Sequence, residues 1–184
     1  MIQLSTMMVV LALFFAVSGY LRGSTKELIA TAGIILGLFA LFQFDTLIRG
    51  TILRNVSRDQ VFIVQALIFI AIVFFAYQTR ALFGEEGGGG RRGAREGRDS
   101  LQDGVIGALL GFLNGYLIWG SLWYFMDINE YPLAPYIIAP AIGSPSDQAR
   151  NLLPLVILGG GPSGTGDLLA VAVIVLFLLV LIRI

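Results

Sequence analysis

The sequence predicts an all-α fold, a polytopic transmembrane helix bundle of about five spans, and three observations lead there. Of the 184 residues 57% are hydrophobic and 13% are charged, with a mean hydropathy of +0.84, where a soluble domain carries about 25% charged residues. The apolar residues gather into five runs, 2–19, 28–44, 61–77, 104–126 and 168–182, and no Asp, Glu, Lys or Arg falls inside any of them. A charge at a helix centre costs about 2.5–3.5 kcal/mol on insertion scales, so this segregation marks membrane-spanning helices rather than buried helices of a soluble core. A chain of this size also has too little mass to enclose five such helices.

Each run is near the roughly 17–25 residues that a hydrocarbon core about 30 Å thick requires. The first, Ile2 to Gly19, lacks a positive n-region and a small-x-small cleavage site, so a permanent helix is expected rather than a secretory signal. A tight polar turn holding Arg22, Gly23, Lys26 and Glu27 leads into the second, Leu28 to Phe44. The third, Val61 to Tyr77, is opened by Ser57-Arg58-Asp59-Gln60, with Ser and Gln at capping-box spacing. Gly104 to Met126 is the longest, and Leu168 to Ile182 closes the set.

The connections differ in character within what reads as a single membrane domain, 1–184. Gln43 to Gln60 sets Arg49, Arg54 and Arg58 among aliphatic residues and fits either an interfacial amphipathic stretch or a solvated loop. Residues 80–103 form a Gly/Arg-rich loop, with seven glycines between Gly84 and Gly97, and read as a flexible linker. The segment 127–167 contains all six prolines, and Leu152 to Leu158, interrupted by Pro154, is a candidate re-entrant hairpin. Eight Lys and Arg on the side of the 80–103 loop, against four on the other, place that loop and the C-terminus in the cytoplasm and the N-terminus outside.

Absences narrow the chemistry. The chain has no Cys and no His, which removes thiolate nucleophiles, disulfides, iron–sulfur clusters and imidazole-based catalysis or metal binding. No catalytic, cofactor or metal residue is therefore assigned. Net charge is zero, from 12 basic and 12 acidic residues, and offers nothing to nucleic acid. Gly161-Pro-Ser-Gly-Thr-Gly166 is spaced like a phosphate loop, but Asp167 and Leu168 stand where Lys and Ser or Thr are required. The better reading is a turn with Thr165 or Asp167 capping the last helix.

The informative candidates are for packing. Gly107, Gly111 and Gly115 recur every four residues on the fourth run, as Gly33 and Gly37 do on the second, and small-xxx-small stripes let helices approach closely in lipid. They serve packing within the chain or an interface between subunits. Asn114 beside the stripe is an interhelical hydrogen-bonding group or a polar permeation point. Arg22, Gly23, Lys26 and Glu27 are expected at the cytoplasmic headgroups as an anchor or a docking point for a partner. Trp119, Trp123, Tyr124, Tyr131 and Tyr136 read as an aromatic belt at the outer end.

Taken together, Gly19-Tyr-Leu-Arg22-Gly23-Ser-Thr-Lys26-Glu27-Leu28 and Asp99-Ser-Leu-Gln-Asp103-Gly-Val-Ile-Gly107-Ala-Leu-Leu-Gly111-Phe-Leu-Asn114-Gly115 resemble the colicin V production protein family (CvpA), over about residues 2–126. In that family an Arg-Gly turn followed by a basic residue and Glu joins the first two helices. This chain departs at Gln3, where members commonly have Asp, and at Asn114, where they often have Arg. The resemblance implies a bacterial inner-membrane protein required for colicin V production or export and linked to the envelope, and it supplies no catalytic residue. The expected partners are the lipid bilayer and other membrane-protein subunits or a second copy. An accessory or scaffold subunit of a larger complex, and a small channel or transporter, are the alternatives.

Overall fold

The computed structural model describes residues 3–47, 55–82 and 96–183. Among them are seven α-helices and no strand. Helices α1 (Leu4–Arg22), α2 (Ser24–Leu47), α3 (Arg58–Leu82) and α4 (Glu96–Ile128) are long and apolar enough to cross a bilayer. Two short helices follow, α5 (Pro145–Ala149) and α6 (Pro154–Ile157), and then α7 (Asp167–Arg183). At 17 residues, or about 26 Å at 1.5 Å per residue, α7 stands at the short end of the spanning range.

The core lies where α2, α3 and α4 meet. Ile34 and Leu38 of α2, Phe69 of α3 and Leu117 of α4 are essentially inaccessible, and Phe69 meets Phe125 edge-on at 5.7 Å. Helix α1 packs along α4 but buries only Ala12 and Gly19, leaving Val10, Phe14, Val17 and Leu21 outward. Such a surface is stable in hydrocarbon, where apolar exposure carries no hydration penalty. Helix α7 lies on α2 through Leu169, Ala172, Val173 and Leu176, a helical stripe, while Val171, Ile174 and Phe177 face outward.

Four details differ from the sequence reading. Helix α4 starts at Glu96, eight residues before its apolar run, so the linker is shorter than expected; the remainder of it, and residues 48–54 of the amphipathic stretch, lie outside the described residues. The aromatic belt is largely core: Trp123, Tyr124 and Tyr131 are buried, and the Trp123 indole N–H donates to the Tyr131 hydroxyl at 3.0 Å, whereas Tyr136 is exposed. Folding the chain back after α4 covers these rings, which a linear reading leaves at the headgroups. Helix α7 begins at Asp167, so its N-cap position falls on Gly166, at φ +77°; the Leu169 N–H is satisfied by the Leu158 carbonyl instead of a side-chain cap. Finally, α1 and α2 are separated by Gly23 alone.

The proline-rich segment is folded against the bundle. Pro154 and Leu155 are buried, and Pro154 stands over Gly120 of α4 so closely that a Cβ there would overlap its ring. Ser146 is buried against α1, its hydroxyl 3.0 Å from that of Ser5, and Tyr116 donates to the Leu152 carbonyl. Arg150 grips Asp127 at the end of α4 with Nε and Nη2, both at 2.9 Å.

Candidate functional site: a buried carboxylate between four helices

A one-residue corner creates the site. Gly23 adopts φ +85°, a left-handed conformation that glycine alone takes without strain. Helix α1 ends on it and α2 starts directly after it, so Lys26 and Glu27 belong to the first turn of α2 rather than to a polar turn. Lys26 points out and is exposed; Glu27 points in and is 1% exposed. Asp103 of α4 completes the corner, accepting from the Ser24 N–H at 3.2 Å and from the Ser24 hydroxyl. A carboxylate there satisfies the free N–H groups of a helix start and complements its dipole.

Glu27 draws partners from every spanning helix around it. Arg22 at the end of α1 donates from Nη1 to Oε1 at 2.8 Å. Asn114 of α4 donates from Nδ2 to Oε2 at 2.8 Å and approaches the Glu27 carbonyl at 3.2 Å. The Tyr77 hydroxyl of α3 donates to Oε2 at 3.2 Å. Thr31, one turn along α2, has a single hydroxyl proton facing two acceptors, Asn114 Oδ1 at 2.7 Å and the Glu27 carbonyl at 2.8 Å. Arg22 also lies 4.4 Å over the Tyr77 ring, an attraction that strengthens out of water.

Carboxylate burial without partners would cost several kcal/mol; one cation and two neutral donors remove that penalty. Asn114 and Thr31 have no exposed surface to speak of, at 0% and 1%, while Arg22 keeps 28% of its side chain accessible. The ion pair thus runs from the protein surface inward. Each contact around the Glu27 carboxylate is a donor supplied by the protein itself. Among the described residues no cluster of acidic side chains could hold a metal ion.

Both glycine stripes are used inside the chain. A Cβ on Gly111 would overlap the Phe15 carbonyl oxygen and stand 3.0 Å from the Gly19 Cα, and one on Gly107 would overlap the Gly19 carbonyl. Gly115 faces the Ala12 Cα. These are backbone-to-backbone contacts between α1 and α4. On α2 the partners are side chains of α3: Gly33 meets Ala76 and Gly37 meets Ile72. The glycines bring the helices close enough for the short side chain of Asn114 to reach both Glu27 and Thr31.

A second polar group lies at the opposite end. Gln65 of α3 donates to Asp45 of α2 at 2.7 Å, and Asn129 after α4 donates to Gln65 at 3.1 Å and to the Phe125 carbonyl at 2.7 Å. Beside it a cavity of about 400 Å³ opens between α2, α4 and the segment 155–165. Ile34, Leu38, Phe69 and Leu117 fill the space between the two polar ends.

The model of the colicin V production protein family matches residues 4–141. This chain belongs to the colicin V production family. The match reaches past α4 into the proline-rich segment and includes Arg22, Glu27, Thr31, Tyr77, Asp103 and Asn114, so the whole carboxylate junction lies within the family region. Comparison with curated proteins and with solved structures finds no match. Thr31, Tyr77 and Asp103 are the junction residues that sequence reasoning missed. Only Thr31 carried a signal, its i+4 spacing from Glu27 on one helix face; Tyr77 and Asp103 are far from Glu27 along the chain.

Proposed function

We propose that this colicin V production family protein is a non-enzymatic, multi-pass component of the bacterial inner membrane that acts in export or envelope maintenance. The observation that carries the reading is the fully partnered Glu27: its three donors come from α1, α3 and α4. That arrangement fits a charge used to lock a bundle, rather than one held ready for proton or group transfer. The positive-inside bias supports a Glu27 end at the cytoplasm, with the N-terminus outside and the C-terminus inside. A channel is the less favoured reading, because Ile34, Leu38, Phe69 and Leu117 stand as an apolar plug between the two polar ends. The test is a chromosomal deletion in the native bacterium, scored for secretion of a colicin V-type peptide and for growth on bile salts. Loss of either, restored by the wild-type gene, is the expected result, and no change in both would overturn it. Stoichiometric co-migration with unrelated subunits on native gels would favour a scaffold subunit of a larger complex instead.

A further inference from the structure

The stretch from Pro132 to Ser146 has no charged residue, and it lies at the end of the bundle away from Glu27. Its apolar side chains are turned outward: Tyr136 is 92% and Ile142 99% exposed, with Leu133 and Ile138 partly so. In water this would be an unusual surface for a connecting loop. Both of its ends are pinned at the level where the spanning helices stop. At one end the Tyr131 N–H bonds the Met126 carbonyl in the last turns of α4; at the other, Ser146 bonds Ser5 in the first turn of α1. The chain then continues inward, where Pro154 rests on Gly120, eight residues before the end of α4, about 12 Å along its axis. The charged groups that flank the stretch gather at this same end of the bundle, Glu130 paired with Arg58 and Arg150 with Asp127 and Asp147.

From this placement we infer that Pro132 to Ser146 is an interaction surface for lipid: it lies flat in the leaflet away from Glu27, with Tyr136 and Ile142 immersed at the boundary between headgroups and acyl chains. The occupant is the bilayer rather than a protein, because the stretch is uncharged, exposes apolar side chains and is tied at its ends to the last turns of α4 and the first turn of α1, both membrane-spanning by length and composition. Interfacial segments of this kind bury their apolar side chains about 5–10 Å into that boundary. A tyrosine suits the position, with an apolar ring and a hydroxyl that reaches the headgroups.

The absence of cysteine in the chain makes the test direct. Single variants Ile142→Cys and Tyr136→Cys, labelled with an environment-sensitive dye, are reconstituted as full-length protein in vesicles of phosphatidylethanolamine and phosphatidylglycerol. Val10→Cys on the outward face of α1 serves as the lipid reference and Ser100→Cys as the water reference, both being exposed. Expected are blue-shifted emission, quenching by lipids with a shallow nitroxide, and iodide quenching several-fold weaker than at Ser100→Cys. Iodide quenching equal to that of Ser100→Cys, with no effect of the nitroxide lipids, overturns the inference. Such a result in vesicles free of other proteins would assign the surface to a protein partner.

Discussion

At the residue scale the decisive fact is that Glu27 and Lys26, neighbours in sequence, have opposite fates. The α-helix rotates successive side chains by about 100°, so one meets α3 and α4 and the other meets solvent. Removing one neutral donor from a buried carboxylate leaves part of its desolvation uncompensated and costs about 1–3 kcal/mol. Asn114→Leu should therefore lower the thermal midpoint in detergent strongly, whereas Lys26→Ala should leave it nearly unchanged; equal midpoints for wild type and Asn114→Leu would sink this account. Tyr131 makes a pH prediction outside the spans. Burial pushes its phenol up to about 12 from an ordinary value of 10.0, so the folded form is favoured below pH 10 and loses that advantage as pH rises toward 12. Thermal melts between pH 8 and 11 should show a smaller alkaline loss in Tyr131→Phe than in wild type.

At the scale of elements, the two glycine stripes are not equivalent. On α4 an added methyl meets the backbone of α1, which cannot yield without separating the helices; on α2 it meets the Ala76 side chain or the Ile72 Cγ2 methyl. Gly111→Ala should thus be destabilising by more than Gly37→Ala, since a side-chain methyl can be displaced by a small shift of one residue whereas a carbonyl fixed in a helix moves only with its backbone. Comparing the two midpoints decides it, and a larger effect at Gly37 would refute the argument. The same logic holds at Gly120, where Pro154 is the obstacle: Gly120→Leu should expel the 153–158 segment and raise its susceptibility to protease. The helices themselves were legible from hydropathy, because lipid demands long charge-free runs. Their termini were less so. Helix α4 extends back to Glu96 through polar residues, which hydropathy excludes although helix formation does not.

For the whole molecule, orientation is the testable property. The excess of eight basic residues over four predicts the Glu27 end inside, so a fluorescent reporter fused at Gly89 or at the C-terminus should be active, and a periplasmic phosphatase fused at either should not. The reverse pattern would invert the bundle. Lipid as solvent, helical class, the number of long apolar runs and the glycine faces were all set by composition and periodicity, because the bilayer constrains each segment by itself. So was the exclusion of imidazole and thiolate chemistry, which follows from residues the chain lacks. Which side chains meet was decided only by tertiary structure. Glu27 finds Tyr77 and Asn114 across separations of 50 and 87 residues, Asp103 caps a helix 79 residues away, and Trp123 and Tyr131 become core because the chain returns over them. Pairings of that kind depend on which face each helix turns to its neighbours, and that choice is a joint minimum over all the helices, not a property of any one of them.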